Sequence, residues 1–127
     1  MPNADFVRAS EKGNPLSARD LISFYFGTQI RLQPYETSLT VGTSAVQAGK
    51  LSNQRVAISF SNPGTTAIVL GLSTGVTSGS GFVVPGPGFL SFTWFLDGEL
   101  VMRDFYAISS ASGQTLYICE SVMSVIN

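Results

Sequence analysis

Few residues in this chain could carry chemistry. None of its 127 residues is histidine, which removes the commonest general base near neutral pH, the Ser-His-Asp and Cys-His arrangements, and most zinc sites. What remains is carboxylate chemistry from Asp97, Glu99, Asp104 and Glu120, the kind a glycosidase uses when two carboxyls face each other across a cleft. Asp97 and Glu99 flank an Asp-Gly step, where acids commonly serve the turn or face solvent, and no motif surrounds any pair. The glycine-rich run Gly75–Gly81 lacks the Gly-Lys-Ser/Thr ending and the following helix that a phosphate loop requires, so it reads as a flexible surface loop. Asp97-Gly98-Glu99 offers too few acidic ligands at the right spacing for a calcium loop. A single Cys119 cannot close an internal disulfide. Its neighbours Leu116, Tyr117, Ile118 and Glu120 suggest an inward-facing thiol acting as a small apolar core residue, with no cation nearby to activate it. No catalytic residue, metal or cofactor is expected.

The aromatic residues admit two readings. Phe92, Trp94, Tyr106 and Tyr117 could stack on sugar rings if they shared an exposed face. The burial habit of such residues instead favours Phe92 and Trp94 in a core, with Phe95 packing on the opposite face. Phe24-Tyr25-Phe26 is a different case, because three consecutive aromatics cannot all face one core, whether in a strand or in a helix. At least one of them should be available to a partner.

Charge is scarce. Charged residues make up 12% of the chain and apolar residues 44%, against roughly 25% and 45–50% in ordinary soluble domains. From Val56 to Leu96 there is no Asp, Glu, Lys or Arg at all. Interface cores are depleted in charge in the same way, so the composition points to an assembly protein covered by neighbouring subunits. The seven basic residues are scattered and offset by eight acids, giving a net charge of −1, which argues against a nucleic-acid partner. No stretch reaches the ~20 apolar residues of a membrane helix, and the first residues do not resemble a signal peptide. The expected partners are therefore proteins, with no nucleic acid and no membrane.

The elements that would position these residues are mostly strands. Residues 1–33 read as an extended amino-terminal arm in which Ala18 to Phe26, flanked by Pro15 and Gly27, fits a short helix running into a strand, while the alternation of Ile22, Phe24, Phe26, Ile30 and Leu32 also fits a strand throughout. Phe6, Leu16, Leu21, Phe24, Tyr25 and Phe26 are its candidate partner-binding anchors. Residues 34–127 read as the folded domain. Strands are expected from Leu39, over Arg55–Ser61, over a doubly covered Ala67–Leu72, at Phe82–Val84, over Phe89–Leu96, at Glu99–Met102 after an Asp97-Gly98 hairpin turn, over Asp104–Ser109 and over Thr115–Val122. Short strands with turns every eight to twelve residues predict an all-β fold, an antiparallel β-sandwich or jelly roll.

Several segments taken together are similar to the small virion structural proteins of tailed bacteriophages, of the capsid decoration, cement or head-fibre type. They are Arg55 opening an alternating strand, Ser61-Asn62-Pro63-Gly64-Thr65, Ile68-Val69-Leu70-Gly71, the uncharged loop leading to Val84-Pro85, Phe105-Tyr106-Ala107-Ile108, and Ser112 through Cys119-Glu120. The resemblance covers about half the chain and consists of pattern more than invariant motif. It implies a non-enzymatic virion protein, a homo-oligomer and often a trimer, attached to the major capsid protein through loops or an arm. A second reading is a receptor- or glycan-binding module of a tail or fibre, contacting its target through Ser73–Gly81 and Ser109–Gln114.

Overall fold

The computed structural model describes residues 30–125, with the side chains of residues 32–124. The expected helix and the anchors Phe6, Leu16, Leu21, Phe24, Tyr25 and Phe26 lie outside the described residues. The chain divides into two units, Pro34–Val122 and a second made of Met1–Gln33 with Met123–Asn127. In the second, the described residues are the first four of strand β1 and the last three of strand β8.

Among the described residues, eight strands form two four-stranded sheets. The strands are β1 (Ile30–Val41), β2 (Val46–Gly49), β3 (Arg55–Asn62), β4 (Ile68–Gly71), β5 (Phe82–Val84), β6 (Gly88–Thr93), β7 (Phe105–Ser109) and β8 (Gln114–Val125). The first sheet has the order β1-β8-β3-β6 and the second β2-β7-β4-β5. The pairings β2–β7, β3–β6, β3–β8, β4–β5 and β4–β7 are all antiparallel. The fold is an all-β sandwich.

Alternation along β3 explains the layering. Ile58 and Phe60 point inward beside Phe92 of β6 and Leu116 and Ile118 of β8, facing Ile68, Leu70, Val84, Phe105 and Ala107 of the second sheet. Three rings lock the sheets together. Phe60 meets Phe105 edge-on at 5.3 Å, Phe92 stacks on Phe105 at 5.3 Å, and Phe60 meets Phe92 edge-on at 6.4 Å, each pair contributing ~0.5–1.5 kcal/mol beyond its burial. Strand β4 is covered on both faces, as its apolar run predicts.

Three expectations are corrected. No hairpin forms at Asp97-Gly98, because β6 ends at Thr93 and a helical turn, Trp94–Asp97, leads into a 3-10 turn, Gly98–Met102. The competing signal is a reciprocal cap. Thr93 Oγ1 accepts from the Leu96 amide at 3.3 Å, while the Asp97 carboxylate accepts from the Thr93 amide at 2.8 Å. Gly98 then exits at φ +63°, a left-handed conformation that glycine adopts freely.

Second, the glycine-rich loop after β4 is pinned to the sheet. Val76 is buried against Gly71, where an added Cβ would lie 2.6 Å from the valine Cβ. Thr77 and Ser80 close the loop tip through a backbone bridge and a 2.8 Å hydroxyl contact.

Third, Cys119 is exposed. Leu116 and Ile118 take the inward positions of β8, so Tyr117 and Cys119 face outward by the same alternation.

Candidate functional site

The four candidate carboxylates are dispersed. Asp97 closes the helical turn, Asp104 accepts from the Leu51 amide at 2.7 Å and from Gln47 Nε2 at 3.2 Å, and Glu120 pairs with Arg55 at 2.7 Å. Glu99 is exposed on the 3-10 turn. Three of the four therefore hold loops in place, and among the described residues no group of three or more Cys, Asp or Glu could hold a metal ion. The aromatics do not form a common platform either. Phe92 is in the core, Trp94 packs against it, and Tyr106 and Tyr117 belong to different sheets.

Arg55 is charged yet only 1% exposed. Its Nε donates to Val101 O at 2.7 Å, Nη1 to Lys50 O at 2.8 Å and to Glu120 Oε1 at 2.7 Å, and Nη2 to Arg103 O at 2.6 Å. The guanidinium also lies 5.7 Å from the Phe105 ring centre. A buried charge is tolerable only when paired and well hydrogen-bonded; here Glu120 supplies the counter-charge and four of the five N–H groups are bonded, at least one on each nitrogen. The guanidinium fastens the loop after β2 and the 3-10 turn to the end of the sandwich where β3 begins.

The opposite end is of a different character. β3 finishes there at Asn62, opposite Gly88 at the start of β6. β4 starts there at Ile68, opposite both Ser109 and Val84. The Ser109 amide donates to Gly42 O at 2.8 Å, which brings in the connection between β1 and β2. Four loops meet at this end: Gly42–Ala45, Pro63–Ala67, Pro85–Pro87 and Ser110–Gly113. None contains a charged residue. Lys50, Arg55, Asp97, Glu99, Arg103 and Asp104 all belong to the other end or its loops.

Two buried polar side chains hold the charge-free end in shape. Asn62 Nδ2 donates to Thr66 O at 2.8 Å and to Val84 O at 3.2 Å, and its Oδ1 accepts from the Gly64 amide at 3.1 Å, the turn habit of asparagine used across two loops. Ser109 Oγ donates to Ala67 O at 3.2 Å and accepts from the Ala111 amide at 3.3 Å. In the sequence Asn62 falls just past the strand Arg55–Ser61, and Ser109 closes the strand Asp104–Ser109. What neither position reveals there is that each uncharged connection, unremarkable alone, falls at the same end once strand direction is known.

The lateral edges differ as well. β1 carries Pro34 and Glu36, and β2 is short and broken by a register shift between Gln47 and Gly49, devices that blunt an edge. β5 and β6 have no charge and expose Val83 and Phe89.

No protein-family model and no curated protein matches this chain. Among solved structures it is similar to a chain from Bacillus endospore appendages, described as a novel family of disulfide-linked pili. The two share 14% identity over 77% of this chain and 89% of that one, with a TM-score of 0.52. The likeness bears on the fold alone.

Proposed function

We propose that this chain is a non-enzymatic structural subunit that decorates or cements a bacteriophage capsid by bridging shell subunits, as a homo-oligomer and most simply a trimer. The observation that carries the reading is the charge-free end, where four loops made of Gly, Ser, Thr, Pro and Ala meet and are fixed by Asn62 and Ser109. Such a surface can be buried against the major capsid protein without desolvating ions, and its contacts would be insensitive to salt. Many symmetric copies then multiply a modest local affinity at the joints that internal pressure opens. The test is light scattering of the purified chain followed by co-sedimentation with empty phage-type capsids. A stable oligomer that sediments with shells is expected, and Thr65→Glu or Ser110→Glu at the charge-free end should abolish attachment while Lys50→Glu at the other end spares it. A monomer that stays in the supernatant would sink the proposal.

The fold likeness to a pilus chain favours a second reading, a subunit that polymerises into an extended appendage. Filaments formed by the purified chain in the absence of any shell would select it.

A further inference from the structure

The outer face of the first sheet holds a feature that the shell-binding reading does not use. In the cross-strand register, Ser61 of β3 stands between Phe89 of β6 and Tyr117 of β8. The two rings are 72% and 53% exposed, and being two strand spacings apart they stand roughly 10 Å from each other. Beside them a shallow groove of about 440 Å³ is floored by Ser59 and Ser61 and walled by Glu36, Ser38, Tyr117 and Cys119. Ser59 and Ser91 continue the hydroxyl floor at 3.3 Å from one another.

We infer that this face binds a neutral, flat polysaccharide of the β-1,4-linked type. Exposed aromatic rings offer apolar faces for sugar rings to stack on, with the Tyr117 hydroxyl as a polar handle. The serine hydroxyls and the Glu36 carboxylate can bond sugar hydroxyls between the stacking points. The separation of the rings is close to the length of a disaccharide unit, so alternate sugars of an extended ribbon would meet Phe89 and Tyr117 in turn. No Lys or Arg side chain lies on this face among the described residues, which disfavours an anionic polymer. Serine is depleted from protein interface cores, so a serine floor suits a sugar better than a second copy of the chain.

Isothermal titration with cellohexaose tests the inference, with maltohexaose as the coiled, α-linked control. The wild-type chain should bind the first and not the second. Phe89→Ala and Tyr117→Ala should each weaken Kd by about tenfold, and Val83→Ala on the other sheet should leave it unchanged. Both rings are exposed, so urea unfolding should show the variants folded. Cellohexaose should also slow alkylation of Cys119 by a maleimide, which reports occupancy of the groove without a substitution. Absence of binding, binding indifferent to both ring deletions, or a wild-type dimer dissolved by those deletions would each overturn the inference.

Discussion

Replacing Arg55 tests whether the buried guanidinium holds its end of the sandwich through carbonyls or through its ion pair. Methionine at this position fills much of the same volume and leaves no buried charge behind. It leaves three carbonyls without their donors: Val101 O in a buried bond, and Lys50 O and Arg103 O in partly buried ones. A hydrogen bond to a charged donor contributes ~1.5–3 kcal/mol. The full loss applies at Val101, whereas the two outer carbonyls can rehydrate and lose less. Glu120, whose side chain is 26% exposed, returns to water. The expected cost of Arg55→Met is therefore about 3 kcal/mol. Glu120→Gln keeps an acceptor for Nη1 but leaves the buried guanidinium without its counter-charge; because Glu120 is itself partly exposed, the loss falls short of that for a fully buried pair and should be about 1–2 kcal/mol. Urea unfolding at neutral pH measures both, with the slope m unchanged if only stability is affected. A Glu120→Gln loss equal to or larger than that of Arg55→Met would refute the reasoning, because the ion pair would then be the anchor. An Arg55→Met loss under about 0.5 kcal/mol would refute it from the other side, placing the site within the range of ordinary surface changes.

Three more outcomes are expected. Gly71→Ala should drive Val76 out of its seat and cost about 1–3 kcal/mol; limited proteolysis should then cut within residues 72–81, and adding Val76→Gly, which removes both clashing atoms, should let the loop seat again and protect it from cleavage. Thr93→Ala should cost about 1 kcal/mol through loss of its cap, read from thermal unfolding, with faster amide exchange at Leu96. Native Cys119 should be fully labelled by a small maleimide with no change in unfolding midpoint, and slow labelling matching global unfolding would contradict its outward placement.

Much of the sandwich was legible because apolar alternation has a period of two. Val56, Ile58 and Phe60 marked β3, and the unbroken Ile68-Val69-Leu70 marked a strand covered on both sides. The same rule, followed one residue further in Leu116-Tyr117-Ile118-Cys119, places the thiol outside. That signal was present but outweighed by the general habit of cysteine to be buried. β2 was missed because Val46-Gln47-Ala48-Gly49 is short and small, and it pairs only through β7, nearly sixty residues later. The Asp97-Gly98 step carried a real turn signal, overridden by the local cap from Thr93. Arg55 was read only as the opening of a strand, since its partners are loop carbonyls and a glutamate that sequence cannot place beside it. The charge-free end was invisible for a related reason. Its four loops are scattered along the chain and become one surface only through strand direction.

The wiring of Arg55 also sets an order of events during synthesis. Its partners Val101, Arg103 and Glu120 lie 46, 48 and 65 residues downstream. At ~5–20 residues per second, translation takes about 3–13 s to bring the last of them after Arg55. Until then the guanidinium lacks its counter-charge, and β3, which can already pair with β6, cannot be sealed on its β8 side. A nascent product released before Glu120 would therefore leave an unmatched cation at the mouth of an open core, a defect that proteolytic surveillance in the cell could recognise. Closure of the sandwich is thereby tied to the synthesis of β8.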